Sequence, residues 1–185
     1  GIAATEVTLP QLLGGAGYRT IHVGKGHFGC AGSWGQYPQT LGFDVNIAGA
    51  EWGSPGSYYG TNNFKNIPPL TQYYGSNMFL SEALTLEMNQ QLGQAVADGT
   101  PFFAYMPHYA VHTPKQADPR FTTNYPGLSG ANLSYLTMIQ GMDKSLGDIL
   151  GQLDALGVAE DTLVVQVTPT YSGCPATEII MTSIR

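Results

Sequence analysis

Apolar residues recur along this chain at several distinct spacings, and each spacing predicts a different element. Leu9, Leu12, Leu13 and Ala16 share one side of a short helix, with Thr8 placed to cap it, Pro10 tolerated in its first turn and Gly17 suited to a left-handed stop. Tyr18 to Val23 then reads as a strand that runs into a glycine-rich turn ending at Gly29. Leu80, Leu84, Met88, Leu92 and Ala95 fall three or four apart. They predict a helix over about Phe79 to Ala97, capped by Ser76 or Asn77, with Glu82 and Glu87 on or near its wet face. Asp98–Pro101 breaks that helix, and Phe102–Met106 is an apolar run expected of a strand covered on both faces. Leu136, Ile139, Met142, Leu146, Ile149, Leu153 and Leu156 predict a long amphipathic helix, capped by Asn132 or Ser134 and ended by Gly157. Leu163 to Val167 reads as the next core strand, and the whole is an α/β pattern.

Between these elements, Cys30 to Tyr74 shows no sustained period. Its many rings, Trp34, Tyr58, Tyr59 and Phe64 among them, and its scarcity of charge predict an ordered loop packed by its own aromatics. The 185 residues suffice for one domain with a real core, although only 11% are charged. A net charge of -6 from scattered carboxylates argues against a nucleic-acid partner, which wants a basic face. Two cysteines, Cys30 and Cys174, are too few for a disulfide framework or a zinc site. No apolar run is long enough to span a membrane.

Candidate chemistry gathers after the two clearest strand signals. Lys25 and His27 stand two residues apart in the first turn, and a fixed cation beside an imidazole suits an anionic substrate. An inert surface turn is the competing reading on composition alone. The second apolar strand leads into Pro107-His108-Tyr109-Ala110-Val111-His112-Thr113-Pro114, which again puts histidines on a loop after a strand.

Gly17 to Gly29 resembles the second signature of the sulfatases, Gly-Tyr-x-Thr followed by Gly-Lys-x-His-x-Gly, with Gly26 where many members have Trp. Leu41-Gly42-Phe43-Asp44, the Gly53–Asn63 insert, the His112-Thr113-Pro114 loop and the helix around Met142-Asp143-Lys144-Ser145 resemble the same family. The resemblance implies an alkaline-phosphatase-like, mainly parallel sheet with helices on both faces, present here in part. It implies that Lys25 and His27 contact the sulfate ester and its covalent adduct, and that His112 binds sulfate or assists the leaving oxygen. Lys25, His27 and His112 are therefore the expected catalytic residues, with Lys25 and His112 binding a sulfated small molecule or glycan. His108 matches no family role and reads as a loop or packing histidine, and Asp143 as a helix-anchoring or loop-bonding carboxylate.

The resemblance covers residues 1–167, a partial catalytic domain, and the tail 168–185 shows none. Thr168-Pro169-Thr170-Tyr171 stands where the family has Ser/Thr-Asp-Asn-Gly, the ligands of its calcium ion, so no metal ligand is expected in this chain. Such a break is what a frameshift or a junction would produce. The formylglycine motif Cys/Ser-x-Pro-x-Arg does not occur either, since Cys174-Pro175 has its proline one place early and no arginine. The resemblance thus implies hydrolysis of sulfate esters in the intact relative, with this chain inactive alone. The alternatives are a phosphodiesterase or phosphonate monoester hydrolase of the same superfamily, or a truncated, non-catalytic fragment. The compartment is unreadable from the residues, and the family suggests periplasmic, extracellular or lysosomal.

Overall fold

A computed structural model describes residues 1–65, 67 and 69–165. Helix α1, Leu9–Gly15, opens on a capping box in which Thr8 Oγ1 accepts from the Gln11 N–H and Gln11 Oε1 accepts from the Thr8 N–H at 3.1 Å. Gly17 takes the predicted left-handed φ of 89°. The predicted apolar side of this helix is not its buried side: Leu9 and Leu12 are exposed, and Pro10 is the buried residue. Seven residues make less than two turns, so the sheet beneath selects which side is covered.

Strands β1 (Arg19–Val23), β2 (Val45–Ile47) and β3 (Phe102–Tyr105) form a parallel sheet in the order β2-β1-β3. Ile21 and Val23 point to one face, where helix α2, Leu80–Ala97, crosses β1 and β3. The predicted stripe of α2 is the core, with Leu80, Leu84, Met88, Leu92 and Ala95 all buried. Thr20 and His22 point to the opposite face, in register with Phe103 and Tyr105 of β3. The long loop is ordered as foreseen, but its rings also enlist the helix: Tyr58 stacks on Phe79 at 5.5 Å and Tyr59 meets Phe79 edge-on at 5.6 Å.

Several expectations are corrected. Neither Ser76 nor Asn77 caps α2; Phe79 holds the N-cap position without a side-chain bond, because Ser76 Oγ is spent on the Tyr73 carbonyl and the Met78 N–H. Glu87 is not solvated. It is 7% exposed and accepts hydrogen bonds from Gln72 Nε2 at 2.6 Å and Tyr73 Oη at 2.7 Å, which staples the loop to α2. Glu82 is half-buried beside Arg120 at 3.5 Å. Strand β3 is not covered on both faces, for Phe102, Phe103 and Tyr105 are half-buried and Ala104 is exposed.

Helix α3, Gly130–Ala155, begins after Ser129 rather than at Asn132 or Ser134. It packs on α2 and buries Ser134, Thr137, Met138, Gly141, Ser145 and Leu153, while Ile139, Leu146 and Leu150 stay exposed. Thr137 and Gly141 face residues 118–121, where Thr137 Oγ1 accepts from the Asp118 N–H at 3.0 Å, and a buried bond from Thr85 Oγ1 to Ser145 Oγ at 2.6 Å joins α3 to α2. Leu163, at 87% exposed, Val164 and Val165 form no strand, and the rest of that predicted strand and the tail lie outside the described residues. Among the described residues no helix is long and apolar enough to cross a membrane.

The Glu87 staple has a measurable consequence. Glu87→Ala removes a buried carboxylate that accepts two hydrogen bonds and should cost about 1–3 kcal/mol in urea unfolding. A change within about 0.5 kcal/mol, usual for a surface residue, would restore the solvated reading.

Candidate functional site

The carboxyl ends of β1 and β3 lie side by side, where the chain leaves β1 for β2 on one side and returns through α2 to β3 on the other. Such an edge is where open α/β sheets bind ligands. Three turns meet there, Gly24–His27 after β1, Ala48–Gly53 after β2 and Pro107–Pro114 after β3.

They are joined backbone to backbone. Gly24 N–H donates to the Ile47 carbonyl at 2.8 Å, Lys25 N–H to the Pro107 carbonyl at 2.8 Å and His27 N–H to the Ala50 carbonyl at 2.7 Å. Glycine makes these approaches possible. A Cβ on Gly24 would lie 2.0 Å from the Pro107 oxygen, and one on Gly26 2.6 Å from the Ala50 oxygen. The missing tryptophan at position 26 thus coincides with a backbone that leaves no room for a side chain's first carbon. His27 itself holds φ 63°, a left-handed conformation that a residue with a Cβ adopts only when its surroundings fix it.

A network of hydroxyl groups ties the His112 loop to the same frame. The Tyr109 hydroxyl donates to the Ala48 carbonyl at 2.7 Å and accepts from Trp52 Nε1 at 3.1 Å. The Tyr58 hydroxyl donates to the Tyr109 carbonyl at 2.7 Å, with the His112 carbonyl also within reach at 3.0 Å. Gln116 Oε1 accepts from the Tyr58 N–H at 2.6 Å and from Ser57 Oγ at 3.1 Å. Burial raises the pKa of both tyrosines, so both remain protonated donors.

The structure places Lys25, His27 and His112 on interlocked turns at one sheet edge. Lys25 is half-buried, and both His27 and His112 are exposed. His112 Nδ1 lies 3.0 Å from the Thr113 carbonyl and 3.2 Å from the Thr113 hydroxyl, so Nε2 is the nitrogen not engaged by Thr113. His108 shares the third turn, but its Nδ1 is buried without a partner among the described residues. Burial lowers its pKa from 6.5 to about 4, as a packed neutral imidazole requires. Asp143 is exposed on α3 and makes no side-chain bond among the described residues, so the expected anchoring is absent there.

Sequence reasoning missed His22, Tyr58, Tyr109, Trp52 and Gly53. His22 had a signal, a polar residue between Ile21 and Val23 in the apolar part of the strand pattern. The others act across long sequence separations that no spacing reports. As for a metal, among the described residues no group of three or more His, Cys, Asp or Glu is placed to hold one. A lysine and imidazoles do not fit a hard cation, which wants oxygen ligands. No step below runs through a metal.

A sequence model of the Sulfatase family matches residues 1–168. The chain is 31% identical over 188 aligned residues to N-acetylgalactosamine-6-sulfatase of Rattus norvegicus, covering 89% of this chain and 32% of that protein. It is similar in fold, with a TM-score of 0.67, to the crystal structure of Ps i-CgsB, which is 22% identical, over 85% of this chain and 38% of that one. The structure of Ps i-CgsB in complex with k-i-k-neocarrahexaose gives the same TM-score of 0.67 at 21% identity. The chain therefore spans about a third of the length of the curated relatives it matches.

Two measurements probe the frame. Gly53→Ala brings a Cβ to 2.6 Å from His27 Nδ1, so the His27 ring resonances in an NMR spectrum should move and stability should fall by about 1–3 kcal/mol. Unmoved His27 resonances would remove Gly53 from the frame. Acid is the second probe. His22, like His108, has a folded pKa of about 4 against 6.5 unfolded, so its stabilising share is complete above pH 6.5 and lost as pH falls toward 4. The His22 share is on the order of 3 kcal/mol. Thermal melts between pH 7 and 4 should show the decline, less steeply in His108→Leu; equal slopes would contradict a buried neutral His108.

Proposed function

The chain belongs to the sulfatase family, and from that premise we propose that it forms the substrate-cradling part of the catalytic domain of a sulfuric ester hydrolase. The observation that carries this reading is the Lys25–His27 turn, clamped to the loops after both neighbouring strands, in a stretch that resembles the family signature with Gly26 in place of the usual Trp. The Lys25 ammonium makes no ion pair among the described residues, so it is available to sulfate oxygens.

In this reading Lys25 neutralises charge on the non-bridging oxygens of the sulfate, most strongly as the S–O bond to the alcohol lengthens. His112 binds the sulfate group and, when protonated, passes a proton from Nε2 to the departing oxygen, so that the alcohol leaves neutral. His27, held in one backbone conformation, contacts the sulfated adduct and assists its collapse. The attacking group, a formylglycine in our reading, and the family's divalent cation, calcium in our reading, are supplied by residues other than those described. A sulfated sugar is the favoured substrate class, because one similar protein is named for a 6-sulfated N-acetylgalactosamine and another was crystallised with a neocarrahexaose.

Calorimetry on the purified chain tests this. Sulfate should bind, and Lys25→Ala and His112→Ala should each weaken binding about tenfold, the loss of one charge-assisted hydrogen bond. Equal affinity in Lys25→Ala would end the cradle reading, and tighter binding of phosphate than of sulfate would favour a phosphoester substrate. With added calcium the chain alone should not hydrolyse a chromogenic aryl sulfate; turnover abolished by Lys25→Ala would show that it carries a complete site.

A further inference from the structure

His22 lies in the middle of β1 with no solvent exposure. Its ring sits in an aromatic box, 5.2 Å from Phe43, 5.7 Å from Tyr105 and 5.8 Å from Phe28 between ring centres. Within that box Nε2 reaches the Lys25 carbonyl at 3.2 Å. A carbonyl can only accept, so Nε2 carries the hydrogen, and Nδ1 is left as a buried lone pair without a partner. Asn46 stands near the ring but not in hydrogen-bonding geometry with it. An apolar residue of similar size would fill the box without stranding that lone pair. The polar contact that His22 makes, and that an apolar ring would not, is the one to Lys25.

That contact completes the clamp. The Lys25 N–H is already held by the Pro107 carbonyl, so with its own carbonyl held by His22 the residue is fixed through both flanking peptide groups. We propose that His22 is a positioning residue of the anion site, its buried Nε2–H setting the direction in which the Lys25 and His27 side chains leave the turn. Nothing in the family signature requires a histidine here, and His22 touches no substrate. The inference rests on the anion-cradle reading of Lys25.

The test compares the full chain with His22→Phe, which keeps a ring and loses the donor, and His22→Gln, which restores a donor. Met88→Ala serves as a control, a core cavity on α2, which covers the sheet face opposite His22. Three quantities are read: sulfate affinity by calorimetry, His27 ring and Lys25 amide resonances by NMR, and thermal stability. His22→Phe should weaken sulfate binding about tenfold and move both sets of resonances, with His22→Gln recovering most of the affinity. Met88→Ala should lose stability with unchanged sulfate affinity. Wild-type affinity and resonances in His22→Phe would overturn the proposal, as would an equal loss of affinity in Met88→Ala. If the wild-type chain binds no sulfate, the cradle reading fails, and His22 is judged on the resonances: unmoved signals refute its hold on the turn.

Discussion

Close contact between backbones at the carboxyl ends of three parallel strands is the constraint on which this structure depends. Strand spacing brings the three turns near one another, but hydrogen bonds between them require that their Cα atoms approach closer than side chains permit. Gly24 against Pro107 and Gly26 against Ala50 meet that requirement, and Gly53 separately leaves room for the His27 ring. The result is a turn whose peptide groups are fixed by Ile47, Pro107 and Ala50, with no freedom left to absorb a misplaced lysine. A preorganised cation costs no rearrangement when charge develops nearby, which is why such rigidity suits catalysis of charge-building reactions.

Hydroxyl groups on aromatic rings extend this frame to the second histidine. Tyr58 and Tyr109 each bury a large apolar body in the core and direct one oxygen to loop carbonyls. A loop held in this way shares the stability of the core without being apolar itself. His112 is consequently an exposed residue on a buried scaffold, the arrangement expected when a side chain must meet solvent-borne ligand from a fixed position.

Elsewhere the fold is less closed. Helix α3 buries mostly small and hydroxyl residues, which leaves part of its apolar stripe in solvent together with Ala104 of β3 and Leu163 to Val165. Periodicity located α2 and α3 correctly because residues three and four apart share a side whatever lies opposite. It misjudged which side of α3 is covered, because that depends on what the fold lays against the helix, residues 118–121 as well as α2. The same reason explains Glu87: a carboxylate next to an apolar stripe is solvated unless a loop brings donors to it, and Gln72 and Tyr73 do.

By itself the sequence determined the α/β class, the central strand with its glycine turn, the α2 core stripe and the family-marking Lys25, His27 and His112. These are local features, set by spacing of a few residues or by an unbroken motif. Only the tertiary structure decided that His22 lies beneath Lys25, that Tyr58 holds the His112 loop and that Gly53 backs the His27 ring. Each joins residues through the geometry of neighbouring strands or loops, and hydrogen bonds and Cβ clearances of that kind exist only once the chain has folded.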